Sequence, residues 1–526
     1  MKRYPTPAVV AALVLVASIP LARPLHGANA IVGTGTPASC SDAALDVGIA
    51  AVNAGGGTLS FDCGAAPHTI VVTSAKTLSA DATILGNGKI TLSGGLGTRL
   101  FTTASGTDVT LDRLVLTHGF ANAAPGGAIL VQGAAAVGDT RLSLLETTVR
   151  DSVAGTWGGG IAAVNATVSL DHSSVVGNSA GGGGGGINLN TGVLSLYVSR
   201  IAGNLAAGDG GGIELWSGVI GIVESAIDDN QTATPGGTGS GGGIAVRDLS
   251  SGSVESSRIA RNKAEAGGGG VYVWGNSLLY LAGVELRDNA APAGVGGGLL
   301  IDSGAEVATG NLLVARNSAV QGGGVENNGG RFRLGNGTLA ENRAIGGTGG
   351  AISNSGDLEL IHVTIARNAA AIGGGIWSTD VGAPVTDLEN VLFSGNTAST
   401  QSPDCHFLAG PSTLTFSLWP GTSCGSSSAG GNQPNTIVAL PPLALTCAAP
   451  GAEPTATLLP AAGSAAVDTA SCILPSYRWD ARGVERPQGI ACDVGAVEVS
   501  AQPGCKGLFF DSFESGATVR WDFVAN

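Results

Sequence analysis

Charge and aromatic rings are what this chain has least of. Of 526 residues, 12% are charged and 4% aromatic, and there is a single methionine. Disordered chains combine low hydrophobicity with high charge. At 43% apolar this chain does neither, so its 87 glycines belong to packed structure. They follow no Gly-X-Y period, which excludes a collagen triple helix. Beyond residue 30 no run of roughly 18 apolar residues occurs, so no transmembrane helix is expected in the mature chain. No CxxC and no HExxH occurs, and no zinc or other metal site is expected. Basic residues are also in deficit, at 25 Lys and Arg against 39 Asp and Glu. A net charge of −14 argues against a nucleic-acid partner, whose binding needs cations on its phosphates.

The first thirty residues read as a secretory signal peptide. Lys2 and Arg3 precede the apolar run "AVVAALVLVASIP" (8–20), and "ANA" (28–30) supplies small residues for cleavage after Ala30. Cleavage there removes three basic residues and no acidic ones, taking the net charge to −17. The chain is therefore expected to be exported, to the extracellular space or to a bacterial cell surface or outer membrane. Eight cysteines fit that setting, and none lies between 64 and 404. Cys40 with Cys63 is the firmest expected disulfide, because no other cysteine is near. Cys405 with Cys424 is the second. The pairing of Cys447, Cys472, Cys492 and Cys505 stays open.

Between these ends the chain repeats. A Gly-Gly-Gly or Gly-Gly-Ala triplet followed by an aliphatic residue occurs ten times, the aliphatic being Ile129, Ile161, Ile187, Ile213, Ile244, Val271, Leu299, Val325, Ile352 and Ile376. An asparagine marks nine of these units, at Asn178, Asn204, Asn230, Asn262, Asn289, Asn317, Asn342, Asn368 and Asn396, with an apolar residue three positions before each. Within "GGGINLNTGVLSLYVSRIAGN" (184–204) apolar and polar residues alternate in short strands, and no 3.6-residue stripe appears. Strands this short cannot bury a face alone, but stacked copies can. A period near 26 is too short for a propeller blade, and the glycine return segments oppose the helices of leucine-rich repeats.

The fold class expected is all-β: a right-handed, single-stranded parallel β-helix, like that of pectate lyases. It should have about ten or more coils, capped and disulfide-pinned at both ends. The hand comes from the rule for parallel crossovers. Glycine is expected to mark each bend, where positive φ and close stacking favour it. The asparagines are expected to form a structural ladder. The organisation is then 1–30 signal peptide, 31–120 N-terminal cap and irregular coils, with a short helix near 42–53, 121–400 regular repeats, 401–500 C-terminal coils and cap, and 501–526 a short C-terminal element.

"GGAI" at 126–129 and 349–352, with an upstream Asn, resembles the polymorphic outer-membrane protein repeat. The stretch 463–499 resembles the choice-of-anchor Q domain, at Gly463, Ser464, Asp468, Asp480, Arg482, Gly483, Arg486, Pro487, Asp493, Gly495 and Glu498. The resemblance implies a secreted or surface β-helix and no known reaction. The polymorphic proteins end in a membrane barrel, and 501–526 is too short to supply one.

Chemistry is harder to find than architecture. Asp228 and Asp229 form the adjacent acidic pair of the repeats and read as solvated turn residues. His118, His172 and His362 stand alone near strand ends and read as surface residues. "GDGGGIEL" (208–215) is only faintly like a calcium-binding repeat. No catalytic residue and no cofactor is assigned. Counting three residues past each corner aliphatic gives an outward column of Asn190, Trp216, Arg247, Trp274, Asp302 and Asn328. Trp216, Arg247 and Trp274, with Tyr272 beside them, are the candidate ligand-binding residues, suited to a sugar ring or an aromatic-rich partner. The expected function is an adhesive or carbohydrate- or partner-binding module without catalysis, its partner a polysaccharide or a cell-surface protein. The alternatives are a polysaccharide lyase or glycoside hydrolase on the same fold, and a purely structural envelope protein.

Overall fold

The rung 187–212 shows how these residues make a coil. In a computed structural model of the protein, residues 27–134, 139–232, 237–379, 385–408, 411–446, 455–472 and 477–499 are described. Ile187–Tyr197 is an 11-residue strand whose burial alternates, with Ile187, Leu189, Leu194 and Leu196 inside. It bends at Thr191 (φ 57°) and Gly192 (φ 144°), which divides it between two faces of the coil. Val198 (φ 44°) turns the chain into Arg200–Ala202, Gly203 (φ 62°) into Leu205–Ala206, and Gly210 (φ 67°) into the next rung at Ile213.

Register between rungs is strict and parallel. Ile187, Leu189, Leu194 and Leu196 pair with Ile213, Leu215, Ile220 and Ile222, and Ile201 pairs with Ile227. A slip by one residue would put every one of these side chains in water. The result is an all-β parallel solenoid of about 14 turns. One apolar cluster runs through it from Val32 to Cys424. Truncating one of its buried aliphatics costs about 2–5 kcal/mol.

The glycine triplets serve two separate needs. At 184–186, the first glycine takes φ 65°. A Cβ on Gly185 would fall 2.3 Å from the Gly211 carbonyl oxygen, and one on Gly186 would fall 2.8 Å from that of Gly212. So the first position needs a left-handed backbone and the next two need bare backbone against the rung beside them. The expectation that glycine marks every bend is corrected here. The corner after the second face is left-handed at Arg113, Glu146, His172, Val198, Glu224, Ser256, Asn311, Asn336, His362 and Asn390, each with φ between 44° and 58°. The next corner is left-handed at Asp151, Asp229, Arg261, Asp288, Arg316, Glu341 and Arg367. These corner residues are exposed or half-buried, apart from Asn336, His362 and Asn390, which are buried, and each carries an intrinsic left-handed cost of about 1–2 kcal/mol.

The asparagines are buried and hydrogen-bonded in sequence. Asn178 Nδ2 donates to Asn204 Oδ1 (3.0 Å), Asn204 to Asn230 (2.9 Å), and Asn230 to Asn262 (3.0 Å). Asn262 donates to Asn289 (3.1 Å), Asn289 to Asn317 (3.0 Å), and Asn317 to Asn342 (3.0 Å). Asn342 donates to Asn368 (2.9 Å) and Asn368 to Asn396 (3.1 Å). Each Oδ1 also accepts the backbone N–H of the preceding asparagine, as at Asn204 from Asn178 (2.9 Å). Asn396 ends the series on Asp404 Oδ1 at 3.0 Å. A second series runs through hydroxyls at another corner. Ser199 Oγ accepts from Ser173 N, Ser225 Oγ from Ser199 N, and Ser257 Oγ from Ser225 N, at 3.0–3.1 Å.

The N-terminal end is closed by the helix Asp42–Asn53, capped by the Ser41 side chain and burying Leu45, Ile49 and Val52. Cys40–Cys63 ties it to the strand behind. Ala28–Val32 pairs with Gly57–Phe61 as the terminal strand, so cleavage after Ala30 would remove three of its five residues. Near the other end Cys405–Cys424 and Cys472–Cys492 are bonded. The segment 455–499 does not continue the coil. It lies back along the third face, where Ala496 N donates to Thr364 Oγ1 (3.0 Å) and Asn336 Nδ2 to the Trp479 carbonyl (2.7 Å). Tyr477 occupies the space that a Cβ on Gly335 would take. The predicted signal peptide up to residue 26, the 501–526 element, Cys447 and Cys505 lie outside the described residues.

Candidate functional site

On the first face, the residues one and three past each corner aliphatic point away from the core. Trp216 pairs with Arg247 on the next rung, and Trp274 follows Val273, which pairs with Val246. The Arg247 guanidinium carbon lies 4.5 Å from the Trp216 ring centre and 5.3 Å from that of Trp274. Arginine is thus clamped between two indoles, and one face of each indole is taken by it. Trp216 is 41% exposed, while Arg247 and Trp274 are half-buried. Tyr272 is half-buried beside them. Its hydroxyl donates to Asp302 Oδ2 (3.1 Å), and Asn328 Nδ2 donates to Asp302 Oδ1 (2.6 Å). Burial, then Asp302, pushes the Tyr272 hydroxyl well above its usual range, so it remains a donor.

Two carboxylates that the sequence reading did not assign join this cluster. Arg247 Nη1 donates to Asp209 Oδ2 (2.5 Å) and to Glu214 Oε1 (3.2 Å). Glu214 Oε2 accepts from Asn188 Nδ2 (2.8 Å), and Asp209 Oδ1 accepts from Ser240 N (2.7 Å). Burial pushes the Glu214 carboxyl up to about 7, with Arg247 opposing and Asp209 reinforcing. Burial also raises Asp209. Both acids belong to the "GDGGGIEL" stretch. The available signal was positional, since Glu214 fills the first outward slot of its strand and Asp209 directly precedes the corner glycine. Glu326 fills the same slot on a later rung, and burial pushes it too up to about 7. Among the described residues no His, Cys, Asp and Glu are grouped to hold a metal ion.

Two other expectations are corrected. Asp228 is fully buried and pairs with Arg258 at 2.7 Å, while Asp229 pairs with Arg261 at 2.8 Å. Asp228 is thus an anchor between rungs rather than a solvated turn residue, while Asp229 sits exposed at its left-handed corner as expected and reaches the next rung through Arg261. His362 is fully buried, not on the surface. Its Nε2 lies 3.1 Å from Asn390 Nδ2, its ring lies against Tyr477, and burial followed by Arg486 holds it well below the usual histidine range. His118 is half-buried against the Thr117 hydroxyl, and His172 is exposed against Asp171.

The residues quoted from 463–499 come together as a buried ionic knot. Arg482 bonds Asp480 (2.8 Å), Arg486 bonds Glu498 (2.9 Å), and Asp480 Oδ2 also accepts Glu498 N (2.8 Å). Asp493 Oδ1 accepts Asp468 N (2.8 Å). Arg486 is 2% exposed and Glu498 is fully buried. These groups bond chiefly to one another, with Arg486 Nε buried and without a hydrogen-bond partner.

No protein-family model matches the chain, and no curated protein matches it. The resemblance to the polymorphic outer-membrane repeat and the choice-of-anchor Q domain therefore rests on the quoted residues alone. Among solved structures, the crystal structure of pectate lyase Pel9A is similar at a TM-score of 0.39 and 13% identity, over 77% of this chain and 90% of that chain. The solenoid stands on its own register, and at that identity no chemistry is carried across.

Proposed function

We propose that this protein is an exported module that contacts carbohydrate through the first face of its solenoid, without catalysis. The observation that carries the reading is the Trp216–Arg247–Trp274 stack over three successive rungs. Indole edges and free faces on a rigid sheet suit sugar rings, which present apolar C–H faces and polar rims. Disulfides near both ends and the signal-like start support export, and the surface-protein repeat resemblance supports a place at the cell surface. The test is the double variant Trp216→Ala with Trp274→Ala. Glycan binding should fall at least about tenfold while the unfolding transition stays in place. A folded double variant that binds as well as the parent discards the reading.

One observation favours a second reading, cleavage of a polysaccharide. Burial raises Glu214 to about 7, and it shares Arg247 with Asp209, a pair of carboxyl groups of the kind that serves as acid and base. Release of new reducing ends or unsaturated sugars, lost in Glu214→Gln, would establish it.

A further inference from the structure

The carbohydrate reading leaves the ligand's charge open, and the groups around Trp274 address it. The order along the outward column is Arg247, Trp274, Asp302 and Asn328, one per rung. Arg247 covers one side of Trp274. Asp302 follows Ile301, which pairs with Val273, so it stands one rung beyond Trp274, about 4.8 Å further on. Asp302 is half-buried and fixed by two neutral donors, Tyr272 and Asn328. Among the described residues no Lys or Arg pairs with it. An indole one rung from an oriented carboxylate held only by neutral donors is the chemistry that receives an ammonium group. The protein applies the same chemistry to its own cation on the opposite face, where Arg247 sits between two indoles and two carboxylates. The cation beside Trp274 is thus already taken by Asp209 and Glu214, and Asp302 on the next rung is held by neutral donors.

We infer that the face selects an amino sugar polymer with free ammonium groups, the ammonium lying between Trp274 and Asp302, and rejects uronate polymers. This rests on the carbohydrate reading above. The test is calorimetric titration of the full protein at mildly acidic pH, where sugar amines are protonated. Four probes are used: a β-1,4-glucosamine hexamer, its N-acetylated form, a galacturonate hexamer and tetralysine. The glucosamine hexamer should bind at least about tenfold more tightly than the N-acetylated one, and the galacturonate should not bind. Asp302→Asn should shrink the preference to within about twofold. That substitution removes one charge of a strongly acidic chain, so general attraction of cations would survive it.

Equal or tighter binding of the N-acetylated or galacturonate hexamer overturns the inference and leaves the carbohydrate reading standing. So does a preference that persists in Asp302→Asn. Tetralysine binding as tightly as glucosamine moves the site from sugars to basic peptides and also overturns it. Failure of all four probes removes the carbohydrate reading and the inference together.

Discussion

The regular rungs and the segment 455–499 solve the same problem, a backbone held in one place, by opposite means. In the rungs each unit repeats a small neutral set: buried aliphatics in register, a glycine corner, and one asparagine bonded to the next. In the segment almost nothing repeats. Its order comes from Arg482, Arg486, Asp480, Asp493 and Glu498 buried together, and from the Cys472–Cys492 bond. The difference teaches where fragility sits. A rung that loses one interaction is still held by its two neighbours. A buried ion pair that loses one partner leaves a bare charge.

The sharpest way to break this contrast is Arg486→Ala. It strands Glu498 in the interior and should cost the folded-back segment about 3–5 kcal/mol. Hydrogen exchange should then speed up over 455–499 while the amides of 187–232 stay protected. In the rungs, Asn230→Ala removes the acceptor of Asn204 N and the donor to the Ile201 carbonyl. It should cost about 1–3 kcal/mol in chemical unfolding without releasing any single segment.

His362 joins the two regions, because it belongs to a rung corner and lies under the folded-back chain. Its folded pKa is depressed, so below the unfolded value near 6.5 the unfolded chain takes up a proton that the folded one refuses. Stability relative to His362→Gln should therefore fall by up to about 1.4 kcal/mol per pH unit below about 6.5, and be flat above it. A pH titration of both unfolding curves checks the slope. The smallest effect should come from Asp229→Asn. Its exposed pair with Arg261 should contribute no more than about 1 kcal/mol, and added salt should erase the difference.

Legibility follows the same division. Ile187, Ile213 and Ile244, with Asn178, Asn204 and Asn230, announce the rungs because stacking demands the same side chain at the same place. The helix at 42–53 is legible through its Ser41 cap and apolar spacing. The corners at Arg113, Glu146 and Val198 were hidden, because an outward left-handed residue is selected by no side-chain requirement that composition reveals. The serines at 173, 199, 225 and 257 recur with the rungs, but serine is common in any polar turn and does not by itself announce a series. Trp216, Arg247 and Trp274 could be placed on one column by counting. Asp209 and Glu214 could not be placed beside Arg247, since Asp209 reaches it from a return arm rather than from a strand. The burial of His362 escaped for a stronger reason. It depends on 477–499 folding back over a rung more than a hundred residues earlier, as the Ala496–Thr364 bond shows.

The account turns on rungs stacking at constant rise whatever their length in sequence. Ser169, Ser195, Gly221, Ser253, Tyr280, Ala308, Arg333 and Glu359 occupy one column, each in register with the next. Spin labels at Ser169 and Ala308, and at Ser169 and Glu359, should lie about 24 Å and 34 Å apart, five and seven rises of about 4.8 Å. Narrow distributions at those two distances fit the stacked solenoid. Two distances that are equal, or that shrink as the labels move further along the chain, would contradict it.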